Sequence, residues 1–163
     1  MKKVIIAVLV LVLALLTSCS GTDETQQSQS PDTGMQTESV EENNEMKPIT
    51  MTINDEKVEV AWEDNDSVKA LADLVSDSPL TIDTSMYGGF EQVGSIGTDL
   101  PSSDINITTE PGDIMLYTGS NIVVFYGSNS WAYTRLGHIE NKSADELKDL
   151  LGSNNVKITL SAA

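Results

Sequence analysis

The chain contains one arginine (Arg135), one histidine (His138) and one cysteine (Cys19), so any chemistry must be built from these, from carboxylates or from aromatic rings. Strand alternation over residues 131–136 puts Trp131, Tyr133 and Arg135 on one face and Ala132, Thr134 and Leu136 on the other. The small and aliphatic set suits an interior. The remaining set, two aromatics beside a guanidinium, can stack on and hydrogen-bond a peptide, a carboxylate or a planar ligand. An alternative reading pairs Arg135 with a carboxylate such as Glu91 and makes it a brace between two segments. Tyr87-Gly88-Gly89-Phe90-Glu91 sets two glycines between aromatics. Such a loop either floors a pocket or makes a tight turn whose rings plug one end of the fold. Ser128-Asn129-Ser130 offers hydrogen bonds to a ligand's amides, or is turn chemistry. The candidate ligand-binding set is therefore Tyr87, Phe90, Glu91, Asn129, Trp131, Tyr133 and Arg135, with no catalytic residue assigned.

Several chemistries are disfavoured. His138 has no Gly-x-Ser-x-Gly elbow to supply a nucleophile. A single histidine and no spare thiol leave only oxygen ligands for a metal. Glu63-Asp64-Asn65-Asp66 lacks the glycine and late glutamate of a calcium loop, and helix capping explains its Asn and Asp. No glycine-rich phosphate loop is present. A formal net charge of −16 argues against nucleic acid, whose phosphates would be repelled. No cofactor is expected, and no metal.

The amino-terminal residues suggest export. Lys2 and Lys3 precede a wholly apolar run from Val4 to Leu16, which at 13 residues is short for a membrane span. Leu16-Thr17-Ser18-Cys19 resembles the lipobox at which bacteria attach diacylglycerol to the cysteine thiol and cleave just before it. The expectation is a signal peptide over 1–18 and lipid on Cys19, two acyl chains being enough for stable anchoring at the extracytoplasmic face of the cell membrane. Cys19 is then an anchor rather than a nucleophile. Residues 20–46 are polar and carry seven carboxylates, so this stretch reads as a disordered acidic tether with an r.m.s. span of roughly 30 Å.

Residues 47–163 then form one domain. Ile49–Ile53 and Val58–Trp62 alternate across an Asn54-Asp55 turn and predict a hairpin. Val68, Leu71, Ala72 and Val75 fall at helical spacing behind Asn65 and Asp66, either of which can cap. Asp113–Thr118 and Asn121–Tyr126 predict a second hairpin, turned by Gly119 and Ser120 and apolar on both faces. Ser143 and Glu146 spell a capping box before Leu147, Leu150 and Leu151, Gly152 ends that helix, and Val156–Leu160 reads as a last strand. The fold class is mainly β: a closed barrel with two short helices covering its ends.

Four segments carry a family resemblance: Tyr87-Gly88-Gly89-Phe90-Glu91, Glu110-Pro111-Gly112-Asp113, Tyr126-Gly127-Ser128-Asn129-Ser130-Trp131 and Tyr133-Thr134-Arg135-Leu136-Gly137. With their order, the chain from about Ile49 to Leu160 resembles the cyclophilin-like domain family of small prokaryotic proteins. The resemblance implies a barrel of about eight strands with a helix at each end, and no settled activity. The Phe-His-Arg and Phe-Met-x-Gln segments by which true cyclophilins isomerise X-Pro bonds are missing, so their catalytic residues do not transfer. The functional expectation is a membrane-anchored module that binds a peptide or small molecule. The alternatives are a prolyl isomerase built from Arg135 and the aromatics, or a structural envelope protein.

Overall fold

The computed structural model describes residues 47–163; the expected signal peptide, Cys19 and the expected tether lie outside the described residues. In chain order the elements are β1 (Ile49–Ile53), β2 (Glu56–Val58), β3 (Val60–Trp62), α1 (Asp66–Leu74), β4 (Leu80–Tyr87), β5 (Glu91–Ser95), β6 (Ile105–Thr108), β7 (Asp113–Tyr117), β8 (Asn121–Phe125), β9 (Ser130–Ile139), α2 (Ala144–Leu151) and β10 (Asn155–Ala162). All strand pairs are antiparallel.

The first hairpin turns through Asn54 and Asp55, whose φ values of 48° and 67° suit a two-residue turn that matches strand twist. Its second arm is shorter than expected: Ile53 faces Glu56 and Met51 faces Val58, and there the pairing stops. After Glu59 the chain leaves β1, and Val60 and Trp62 pair instead with Ile139 and Gly137 of β9. This swing closes the barrel. The strand order is β2-β1-β10-β4-β5-β8-β7-β9-β3, and its two ends, β2 and β3, are joined through one residue. Both sheet edges are thereby removed. Counted as one strand, β2 and β3 make an eight-stranded ring, with β6 paired to β9 outside it.

Alternation sorts the central strands into two apolar layers. Ile114, Leu116, Ile122, Val124 and Leu136 belong to the interior cluster with Met51, Ile53 and Ile82. Met115, Val123, Phe125 and Tyr133 form a second cluster on the outer face, with Phe90, Val93 and Ile107 packed on it. Both faces of the β7–β8 hairpin are therefore buried, as its sequence predicts. Its turn takes three residues, Thr118 to Ser120, since Tyr117 faces Asn121.

Both helices press apolar faces on the interior cluster, α1 through Val68, Leu71 and Ala72 and α2 through Leu147 and Leu151. They lead into the starts of β4 and β10, which are antiparallel neighbours, so they enter the barrel wall from opposite ends. Asn65 is the cap of α1: its side-chain oxygen accepts from the Val68 amide, while its Nδ2 donates to the Arg135 carbonyl and ties the helix to β9. The capping box of α2 forms between Ser143 and Glu146. Its carboxyl end is held by Gln92, a fully buried side chain whose Nε2 donates to the carbonyls of Leu151 (2.6 Å) and Ser153 (2.7 Å). No helix among the described residues is long and apolar enough to cross a membrane.

Candidate functional site

Five of the seven candidate residues come together. Tyr87, Phe90, Asn129, Trp131 and Tyr133 line one cavity of about 360 Å³ on the outer face, joined by Tyr117 at the end of β7. Tyr87 (67 % exposed) and Trp131 (58 %) stand at its rim, whereas Tyr133 is buried (4 %). The Tyr133 ring meets Tyr117 and Phe125 edge-on, with centroids 5.9 and 5.6 Å away. Its hydroxyl accepts from Asn129 Nδ2 at 3.1 Å, which fixes the inner wall. The double glycine makes the lip: Gly88 and Gly89 adopt φ of 63° and 78°, and a Cβ on Gly88 would fall 2.3 Å from Phe90 Cε1. The tight-turn and pocket readings of this loop are thus both realised, since the turn carries Tyr87 and Phe90 to the cavity.

Glu91 follows that turn. In the sheet it faces Tyr87 on one side and Phe125 on the other, so its side chain shares the outer face with the aromatic cluster. It is 5 % exposed, and its Oε2 is buried without a hydrogen-bond partner. Burial pushes the carboxyl up from 4.5 to about 7, with no compensating charge or hydrogen bond. The phenols of Tyr126 and Tyr133 are raised as well, by burial first and then by the proximity of Glu91.

Arg135 lies elsewhere. Alternation puts it on the outer face as expected, but a bulge in the β7–β9 pairing brings it opposite Met115 and beside Asp113. Its Nη1 and Nη2 donate to Asp113 Oδ1 (2.5 Å) and Oδ2 (3.2 Å). His138 Nδ1 lies 2.9 Å from the same Oδ1, and the Glu110 amide donates to Oδ2 at 3.1 Å. The brace anticipated for Arg135 therefore exists, with Asp113 as the partner in place of Glu91. Although it shares their face, Arg135 lines a different cavity from Trp131 and Tyr133, one of about 430 Å³, with Asn65, Ser67, Ser102, Ser103 and Ile105. Gly112 makes room for the cluster: its φ is 100°, and a Cβ there would come within 2.9 Å of His138 Cε1.

The sequence model of the Cyclophilin-like family matches residues 51–161. The chain belongs to that family. Among solved structures, two that align with this chain have a similar fold. McbB, solved in complex with tryptophan, aligns with a TM-score of 0.52 at 13 % identity over 71 % of this chain, which spans 44 % of McbB. The hypothetical protein AF2241 from Archaeoglobus fulgidus, solved in solution, aligns with a TM-score of 0.51 at 18 % identity over 72 % of this chain and 96 % of its own. At such identities the likeness establishes the fold alone. No curated protein matches in sequence.

Two residues of this cyclophilin-like barrel escape the sequence reading. Tyr117 shares its parity with Met115, but only the β7–β9 pairing brings it to Tyr133. Asp113 stands in a segment that carries the family resemblance, yet nothing local marks it as the partner of a residue 22 positions away. Among the described residues no group of three or more His, Cys, Asp or Glu side chains converges on a point where a metal ion would sit.

Proposed function

We propose that the protein is an extracytoplasmic lipoprotein, anchored to the cell membrane by lipid on Cys19, whose cyclophilin-like barrel binds a small planar molecule or an aromatic side chain of a peptide. The observation that carries the binding role is the cavity on the outer face, walled by Phe90, Tyr117, Tyr133 and the exposed rims of Tyr87 and Trp131. Exposed large rings around a concave site mark recognition surfaces rather than scaffold. The prolyl isomerase alternative has less support, because Arg135 and the aromatics line different cavities. The acidity of the chain, with 25 Asp and Glu against 9 Lys and Arg, supports a partner other than nucleic acid.

The anchor and the pocket are tested separately. Cys19→Ser is expected to abolish incorporation of radiolabelled fatty acid and, with it, cleavage before residue 19. A processed, membrane-bound Cys19→Ser protein would count against lipidation. For the pocket, 2-phenylethylamine offers one ring and a short polar arm. Calorimetric titration should show binding that weakens about tenfold or more in Trp131→Ala, with the thermal midpoint moving by only a few degrees because Trp131 is more than half exposed. Unchanged affinity in that variant would remove the cavity from the account.

A further inference from the structure

We infer that the aromatic cavity takes an organic ammonium ion, with the Glu91 carboxylate as its counter-ion and the rings of Tyr87, Trp131 and Tyr133 as its walls. The inference rests on the binding role proposed above and names the ligand's class. Three observations lead to it. Glu91 is nearly inaccessible and its Oε2 has no partner, in a fold whose other buried carboxylate, Asp113, is fully hydrogen-bonded. An orphaned buried acceptor is costly to fold unless something meets it in use. Second, Glu91 stands behind the lining of the cavity and not in it, but sheet register sets its carboxylate on the same face as Tyr87 and Phe125, and it is near enough to raise the phenol of Tyr133, itself a wall of the cavity. Third, electron-rich ring faces attract a cation, and the attraction grows when water is excluded.

A neutral donor would meet the oxygen but gain little from the rings. A hard metal ion would need several oxygens, and Glu91 has no second carboxylate to share it with. An ammonium group answers both features. Tyr126 and Tyr133 are the ionisable groups that sense Glu91, and their raised phenol pKa values keep them neutral around physiological pH. Burial is the one cause acting on the Glu91 carboxyl, so among the described residues no Lys, Arg or His serves as its counter-ion. Since burial already holds the carboxyl near 7, an entering cation displaces its proton, and affinity rises as the pH passes through that value.

The test compares 2-phenylethylamine with 2-phenylethanol, which is close to isosteric but neutral, by calorimetry on the full chain in non-ionic detergent. At about pH 8 the amine should bind more than about tenfold tighter than the alcohol. In Glu91→Gln the two affinities should approach each other, and in the unmutated protein the preference should shrink at about pH 5 as the carboxyl protonates. The pH arm needs no variant and stands even if Glu91→Gln folds poorly. Equal affinities for amine and alcohol, or a preference untouched by both pH and Glu91→Gln, would overturn the ammonium assignment while leaving an aromatic site in place. Binding of neither probe would overturn the assignment and the binding role together.

Discussion

Asp113→Ala is expected to destabilise the barrel by about 2–3 kcal/mol, the cost of removing a buried carboxylate from the donors that meet it. The carboxylate is fully buried and accepts two bonds from Arg135 and one from the Glu110 amide, with His138 Nδ1 at 2.9 Å. Without it, the Glu110 amide loses its acceptor and the guanidinium, 32 % exposed, loses the partner that holds its fork. For a domain of this size the thermal midpoint should fall by on the order of 10 °C or more. Arg135→Lys is the milder companion: it keeps the charge but loses the planar fork that bonds both carboxylate oxygens, so it should fall between the parent and Asp113→Ala. A loss below about 1 kcal/mol in Asp113→Ala would mean that the cluster behaves as an exposed pair and does not brace β7 to β9.

Glu91→Gln is expected to act in the opposite direction. The folded carboxyl is raised from 4.5 to about 7, so between these values the native state holds a proton that the unfolded chain has released. Stability therefore falls as the pH rises through this window; the penalty is absent below about pH 4.5 and complete above about pH 7. At roughly 1.4 kcal/mol per pH unit the ceiling is about 3 kcal/mol, and burial of the glutamine amide offsets part of the gain. Urea unfolding should show Glu91→Gln more stable than the parent by about 1–3 kcal/mol at about pH 8 and nearly equal to it at about pH 4.5. A variant that is less stable at both pH values would show that the carboxylate has a structural partner.

The elements that sequence made legible are those whose signals are local. Asn65 and the Ser143–Glu146 box mark helix starts because a cap satisfies amides within three residues of itself. The β7–β8 hairpin shows its apolar pattern on both faces within 13 residues. The swing at Glu59 is not legible, because residues 56–62 alternate like one continuous strand, and only ring closure makes the two halves choose different neighbours. The site divides in the same way. Parity puts Trp131, Tyr133 and Arg135 on one face, as found, but the bulge opposite Ile114 and Met115 and the added strand β6 decide which of them meets solvent. Glu91 and Arg135, the pair that an acidic chain with one arginine suggests, do not meet: the bulge brings Arg135 to Asp113, while register places Glu91 opposite Tyr87 and Phe125.

The most direct test of the central claim is to map a bound probe on the ¹⁵N-labelled full chain. On titration with 2-phenylethylamine, the indole N–H of Trp131, the side-chain amide of Asn129 and the backbone amides of Phe90 and Tyr133 should shift together and saturate. The side-chain amide of Asn65 and the backbone amides of Ser102 and Ser103, which belong to the Arg135 cavity, should remain in place. Shifts centred on that second cavity, with the Trp131 indole unmoved, would contradict the account.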